Sequence, residues 1–194
     1  MALVLGTNFG FCAVAPTADP AEAVNGAADN AAIVQKDTSP ATAAKIVEMG
    51  WWCDNATLDD VNFELGLYAA DGGVVPGEAG TRLFVSATNA KGTTAGWKTA
   101  VVDWAIDPST DYWLGLQLDD TTTATNIDTA STGGPGFDLL GTQTTLPNPF
   151  GGGAILDADG MVAIYAVWEA AAAASTTTDP MVHAHTVRTH QVVA

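Results

Sequence analysis

The stretch Asn62-Phe-Glu-Leu-Gly-Leu-Tyr68, with the turn residues Asp71-Gly-Gly73 after it, decides the fold class. Apolar residues occupy every second position of this stretch, at Phe63, Leu65 and Leu67. Because successive side chains of a strand point to opposite faces, this alternation predicts a strand with one buried face. The Asp and Gly residues that follow predict a tight turn.

Segments of the same character recur along the chain. Residues 111–118 place Tyr112, Leu114, Leu116 and Leu118 on one face. Further strand candidates lie at 9–13, 31–36, 45–53, 82–87, 97–104 and 161–169. No helical periodicity of useful length occurs in residues 45–169. Many short strands separated by turns predict an all-β fold, an antiparallel β-sandwich or barrel.

The chain divides into four parts. We predict an N-terminal arm with short strands at 1–44, a β-sandwich at 45–169, an Ala- and Thr-rich linker at 170–180 and one more strand at 181–194. The last part is rich in β-branched residues and contains neither Gly nor Pro. A lone strand exposes unpaired backbone groups, so it is expected to pair either with its own sheet or with a neighbouring subunit.

The charge of the chain excludes several function classes. Lys and Arg number 6 and Asp and Glu number 22, which gives a formal net charge of −16 at pH 7. A nucleic-acid-binding protein needs clustered Lys and Arg to neutralise phosphates, and an anionic membrane surface repels an acidic chain. No apolar run reaches the roughly 20 residues of a membrane-spanning helix. We therefore expect neither nucleic acid nor membrane among the partners.

Two cysteines, Cys12 and Cys53, leave two possibilities open. They form either one disulfide between an N-terminal strand and a core strand or two buried free thiols, since Cys packs well as a small apolar group. The start Met1-Ala-Leu-Val-Leu-Gly6 is apolar but short, follows no Lys or Arg, and predicts no secretory signal. The Thr-rich, Lys-poor composition nonetheless resembles that of a protein outside the cell. A virion protein, which leaves the cell by lysis and needs no signal, would reconcile the two observations.

Several motifs in the sandwich segment point to a family. They are Lys45-Ile-Val-Glu-Met-Gly-Trp-Trp52, the hairpin from Phe63 to Gly72, the loop Pro76-Gly77, Gly96-Trp97-Lys98, the run from Asp111 to Gln117 and Ile164-Tyr-Ala-Val-Trp168. With them, the segment from Ile46 to Trp168 resembles a jelly-roll sandwich of phage virion proteins and of some secreted surface proteins. The resemblance implies an antiparallel jelly-roll β-sandwich with extended N- and C-terminal arms. It also implies a capsid decoration protein, a tail appendage or a carbohydrate-binding module, among which the fold does not choose.

The sequence contains no recognisable catalytic motif. It has no Gly-x-Ser-x-Gly elbow, no phosphate-binding loop and no dinucleotide fingerprint. Its three histidines all lie in the last 12 residues, outside the predicted sandwich. A catalytic triad needs a histidine in a preorganised pocket, so we predict a non-enzymatic protein.

Candidate binding residues fall into three groups. Assembly contacts are predicted for residues of the two terminal parts: Phe9, Phe11, Val182, His183, His185, Val187, His190 and Val192. A glycan platform is predicted for Trp52 and Trp97, because sugar-binding sandwiches present flat aromatic rings. His183 and His185 share one face of a strand and suit Zn²⁺ or Ni²⁺, whereas Asp157 and Asp159 offer oxygen ligands to a structural Ca²⁺. The alternative to these metal sites is exposed polar residues and turn-forming Asp, with no cofactor.

Together these observations predict a virion structural protein, either a phage capsid decoration or cement protein or a tail-appendage subunit. We expect it to assemble through its terminal arms into a homo-oligomer, a trimer or a dimer, and to contact other virion proteins such as the major capsid protein. Two alternatives remain. One is a carbohydrate-binding β-sandwich module, and the other is a self-assembling extracellular filament or surface subunit.

Overall fold

The structure, a computed structural model, describes residues 2–20, 24–28, 30–54, 61–72, 77–119, 125–151 and 158–172. These residues form β-strands and no helix, which confirms the all-β prediction. The strands are β1 Gly10–Cys12, β2 Val24–Ala28, β3 Ala31–Thr38, β4 Ala43–Cys53, β5 Asn62–Ala69, β6 Arg82–Val85, β7 Asn89–Ala90, β8 Gly96–Ala105, β9 Asp111–Leu118, β10 Thr125–Ala130, β11 Phe137–Leu140, β12 Met161–Val162 and β13 Ile164–Ala170.

The strands form two sheets, as expected for a sandwich. The seven-stranded sheet has the order β1-β13-β4-β10-β12, with β8 also paired with β4 and β2 also paired with β10. The six-stranded sheet has the order β11-β3-β9-β5-β6, with β7 also paired with β5. Among these strands the pairing is antiparallel, apart from β1, which runs parallel to β13.

The main hydrophobic core lies between the two sheets. Phe63, Leu65 and Leu67 of β5 are buried in it, as their alternation predicts. Trp51 of β4 is fully buried and packs edge to face against Phe63, with ring centroids 5.7 Å apart. The opposite face of β5 carries Tyr68, which belongs to a second cluster on the outer side of the six-stranded sheet.

Residues 1–44, predicted as an arm beside the sandwich, contribute strands to both sheets. β3 pairs with β9 over its whole length, and β1 pairs with β13. Two polar side chains then join the sheets: Asp37 of β3 accepts a hydrogen bond from the Phe11 N–H (2.7 Å), and Gln35 accepts one from the Val162 N–H (2.6 Å). The N-terminal residues join both sheets because the backbone groups of a strand need hydrogen-bond partners, and a strand distant in sequence supplies them as well as a near one.

The outer face of the six-stranded sheet is covered by residues 142–150, which we call the strap. From its sequence, the segment 142–153, with Pro147, Pro149 and Phe150, is predicted to be a loop. Phe150 of the strap is 1% exposed and packs edge to face on Tyr68, with centroids 5.5 Å apart. Three side chains of the sheet also hold the strap: the Tyr68 hydroxyl donates to the Pro147 carbonyl (2.9 Å), Gln117 donates to the Gln143 carbonyl (2.8 Å), and Glu64 accepts from the Leu146 N–H (2.9 Å).

Both cysteines are buried and neither is in a disulfide, which decides between the two possibilities left open by the sequence. Cys12 lies on β1 and Cys53 ends β4. Burial, with a smaller effect from the charge on Asp37, raises the pKa of Cys12 to about 12. A thiol that stays protonated is a poor nucleophile, so Cys12 acts as a packing residue.

Candidate functional site

The two sheets end next to each other in edge strands, and we call the side formed by β6 and β8 the open side. Within the described chain, β8 pairs only with β4 and β6 pairs only with β5. Phe84 of β6 stacks on Trp104 of β8, with ring centroids 5.5 Å apart and ring planes 8° from parallel. This stack closes the core at the open side but leaves the outer backbone edge of each strand without a strand partner among the described residues.

Apolar side chains are exposed along the open side. Val101 of β8 is 86% exposed, and Leu83 and Val85 of β6 are 41% and 38% exposed. Along β8, Ala100 and Trp104 face the core, so the strand alternation turns Val101 outward. Phe84 of β6 packs against the core, and Val85 next to it faces the outer side of the six-stranded sheet. Exposed apolar side chains therefore flank the open side on both sheets.

One half of β8 carries a bulge and an ion pair, two features that discourage strand pairing. Between Ile46 and Glu48 of β4 the register with β8 shifts, so that Val102 and Asp103 lie opposite the single residue Val47. Asp103 also forms an ion pair with Lys45 at 3.2 Å. Bulges and charges are devices that block the addition of a further strand. The half from Gly96 to Val101 pairs with β4 in unbroken register.

An acidic groove adjoins the open side. Its volume is about 740 Å³, and Asp71, Asp107 and Asp111 line it together with Leu83 and Tyr112. The Asp111 carboxylate accepts a hydrogen bond from the Thr38 hydroxyl (2.5 Å) and lies 3.4 Å from the Lys36 ammonium, and these contacts lower its pKa. Across the part of the chain that the structure describes, no group of three or more His, Cys, Asp or Glu is arranged to hold a metal ion.

The Asp71 carboxylate in the groove predicts that the free energy of unfolding depends on pH. The Asp71 carboxylate accepts hydrogen bonds from the Thr81 N–H (2.7 Å) and hydroxyl (2.8 Å), which lower the pKa of Asp71. The resulting stability is fully present above the pKa of an unfolded Asp and is lost as the pH falls through the lowered folded pKa. We expect Asp71→Asn to reduce the free energy of unfolding at neutral pH by less than about 1 kcal/mol, because the side chain is exposed.

Denaturant unfolding of the wild type and of Asp71→Asn over a series of pH values measures this difference. It should shrink to zero at the acid end of the series. A difference that stays constant from neutral to strongly acidic pH would show that the two hydrogen bonds do not depend on the charge of Asp71.

The predicted glycan platform, Trp52 and Trp97, lies on the outer face of the seven-stranded sheet. The two rings pack edge to face, 5.3 Å apart, and Trp97 packs in the same manner on Tyr165 at 5.1 Å. The Trp97 indole donates to the Ala18 carbonyl (3.1 Å), and the buried Trp52 indole N–H has no hydrogen-bond partner among the described residues. Both rings are therefore half-buried and engaged with their own chain, and sugar binding by them stays a prediction.

Close backbone packing supports this aromatic cluster. Tyr165 of β13 is fully buried, and its hydroxyl donates to Glu48 of β4 at 2.5 Å. Burial, reinforced by that carboxylate, raises the pKa of Tyr165. The ring lies directly over Gly50, where a Cβ atom would come within 2.5 Å of the ring carbon Cε1. Only glycine at position 50 leaves room for the Tyr165 ring in this position.

The remaining sequence-predicted site residues are not brought together. Phe9 packs with Leu3 and Ala163 on the outer face of the seven-stranded sheet, and Phe11 packs in the main core against Tyr112. Both side chains are thus buried in their own chain, and a role for them in assembly stays a prediction. Asp159 is exposed. The other candidates lie outside the described residues: Asp157, Val182, His183, His185, Val187, His190 and Val192.

Sequence reasoning did not single out the residues of the open side. Val101 lies in the strand predicted at 97–104, and Leu83 and Val85 lie in the strand predicted at 82–87. Their alternation predicts strands but does not tell an edge strand from a central one. The signal that was available is the pair of charges on β8, Lys98 and Asp103, since charged residues are common on edge strands.

Comparison of the chain with protein-family models, with curated proteins and with solved structures gives no match. The described part of the chain contains no helix long and apolar enough to cross a membrane.

Proposed function

We propose that this protein is a non-enzymatic structural subunit of a phage virion, a capsid decoration protein or a tail-appendage subunit built on a jelly-roll sandwich. It assembles with copies of itself, as a dimer or a trimer, and with other virion proteins such as the major capsid protein. The observation that carries the proposal is the open side, where the edge strands of the two sheets lie side by side and each carries exposed apolar side chains.

The open side supports assembly for a physical reason. An open strand edge offers a row of backbone donors and acceptors, and a strand from another chain satisfies them without a large flat interface. The exposed valines and Leu83 add apolar area, which contributes about 25 cal/mol for each Å² removed from water. Homo-oligomers favour closed symmetry, so a dimer or a trimer follows from a contact of this kind.

A pair of matched valine substitutions tests the proposal. We expect the full chain to have the mass of a dimer or a trimer in light scattering on a sizing column. Val101→Lys should weaken association at least ~10-fold, because it places a charge on the strand edge. Val14 is also exposed, at 73%, but lies outside β6 and β8. Val14→Lys is therefore the control and should leave the mass unchanged.

Two outcomes would contradict the proposal. One is a wild-type chain that is monomeric at every concentration, and the other is an equal loss of association in both lysine variants. If the chain is monomeric, binding to an oligosaccharide panel would favour the carbohydrate-binding alternative. Polymers formed by the chain alone in electron microscopy would instead favour the filament alternative.

A further inference from the structure

We propose that Asp138 of β11 and Glu78 form a proton-controlled latch on the outer face of the six-stranded sheet. Residues 77–80, which we call the clip, carry Glu78 onto this face. When Asp138 takes up a proton, the clip is held firmly against the sheet. When both carboxylates are charged, their repulsion loosens it. The latch is independent of the assembly contact proposed above.

The backbone of the clip is bonded to three neighbouring elements. The Gly77 carbonyl accepts a hydrogen bond from the Trp113 indole of β9 (3.0 Å). The Gly80 N–H donates to the carbonyl of the last residue of β5 (3.0 Å), and the Gly80 carbonyl accepts from the Phe150 N–H of the strap (2.9 Å). Ala79 is buried in the outer cluster. The clip thus links β9, β5 and the strap.

The two carboxyl groups of the latch are buried beside this cluster. Glu78 is 3% exposed and Asp138 is 6% exposed. Asp138 pairs with Val34 of β3, and Val34 lies in the same outer cluster as Ala79, the neighbour of Glu78. The Oε2 atom of Glu78 is buried and has no hydrogen-bond partner among the described residues. Because burying unpaired charge costs free energy, this arrangement favours the uptake of a proton.

The charge on Glu78 acts on Asp138. Burial raises the pKa of Asp138, the Leu139 N–H opposes this by donating to the carboxylate (2.7 Å), and the charge on Glu78 raises the pKa further. The stability from the added proton is therefore fully present below the pKa of an unfolded Asp. It is lost as the pH rises through the raised folded pKa, which is the opposite sign to Asp71.

No ion pair neutralises the latch within the described part of the chain. Lys36 of β3 lies near the clip, since a Cβ atom at Gly77 would come within 3.4 Å of the Lys36 Nζ. The ion pair of Lys36 is with Asp111, however, and neither Glu78 nor Asp138 forms one with a described residue. Two like charges in a buried setting repel more strongly than they would in water.

The other charged groups on the elements around the clip have partners of their own. Asp71 accepts from Thr81, Arg82 donates to the Leu146 carbonyl, and Glu64 accepts from the Leu146 N–H. The strap, residues 142–150, contains no charged side chain. Asp138 is therefore the group whose protonation is expected to control the clip.

Thermal unfolding of the full chain over a series of pH values tests the latch. Asp138→Asn keeps an acceptor for the Leu139 N–H but cannot become charged. We expect it to raise the unfolding midpoint by at least ~2 °C at about pH 8 and to leave it unchanged at about pH 4. Glu78→Gln should give a gain of the same sign. Asp107→Asn is the control, because it removes one charge from an exposed side chain, and should change the midpoint by less than ~1 °C.

The indole N–H of Trp113 reports on the clip itself, because it donates to the Gly77 carbonyl. In NMR spectra of the ¹⁵N-labelled chain, its signal is identified by its absence from Trp113→Phe. We expect this signal to move with pH in the wild type and to stay fixed in Asp138→Asn. A change in global stability alone would not produce this difference.

Three results would overturn the latch. They are an Asp138→Asn midpoint no higher than that of the wild type at about pH 8, an equal gain in Asp107→Asn, and a Trp113 indole signal that moves equally in the wild type and Asp138→Asn. If Asp138→Asn does not fold, Glu78→Gln is judged by the same three criteria. None of these results alters the mass measurement that tests the proposed function.

Discussion

Phe150→Ala should lower the free energy of unfolding by about 3–5 kcal/mol, the usual cost of removing a buried Phe side chain. Phe150 is 1% exposed and packs on Tyr68 and on the cluster that contains Trp113 and Leu146. Its loss leaves a cavity under the strap and exposes the outer face of the six-stranded sheet. Because small domains are stable by roughly 5–15 kcal/mol, this single change removes a large share of the total.

The strap provides its own control. Thr145 is an exposed strap residue, so Thr145→Ala should change the free energy of unfolding by no more than about 0.5 kcal/mol. Urea unfolding followed by tryptophan fluorescence measures both variants, since Trp113 lies under the strap. A cost below about 1 kcal/mol for Phe150→Ala would show that the strap does not contribute to the fold.

Gly50→Ala should lower the free energy of unfolding by about 1–3 kcal/mol, the usual cost of an added methyl group in a packed interior. The new Cβ would lie 2.5 Å from Cε1 of Tyr165 and 2.8 Å from its hydroxyl oxygen. The ring cannot yield easily, because it is fully buried and its hydroxyl is bonded to Glu48. The methyl group therefore forces the ring or the β4 backbone to move.

A double-mutant cycle isolates this contact. Tyr165→Ala removes the ring, so Gly50→Ala made in that background should cost less than about 0.5 kcal/mol. Gly141→Ala is the control in the wild-type background, because a Cβ at Gly141 meets no atom within 4 Å. An equal cost of Gly50→Ala in both backgrounds would contradict the steric account and would place the effect in the strand backbone.

Much of the fold follows from local alternation in the sequence. The predicted faces of β5 and β9 are confirmed: Leu65 and Leu116 lie in the main core, whereas Tyr68 and Trp113 lie on the outer side. The all-β class and the long strands were therefore within reach of pattern analysis. Short strands such as β11 were not, because four residues carry little periodicity and their strand geometry depends on pairing with a distant strand, here β3.

Less of the candidate site than of the fold could be predicted from the sequence. The sequence named Trp52 and Trp97 as candidate sugar-binding residues but did not show that they lie opposite each other on β4 and β8. The pattern could not show that their rings pack against each other and against the N-terminal segment. Nor could it show that β8 is an edge strand, because an edge is defined by the strand that is missing beside it. Ring packing and the edge position of β8 both depend on residues distant in sequence, so they become known only from the order of strands in the sheets.

The parallel pairing of β1 with β13 has a consequence for the order in which the molecule is completed. In this pairing the partners are Gly10 with Tyr165, Phe11 with Ala166, and Cys12 with Val167. Residues synthesised early therefore pair with residues synthesised more than 150 positions later. Contacts of such long sequence separation slow folding, because the chain loses loop entropy before the contact forms. On the ribosome, the seven-stranded sheet acquires this edge only after β13 has emerged, because β13 is the strand that pairs with β1 among the described residues.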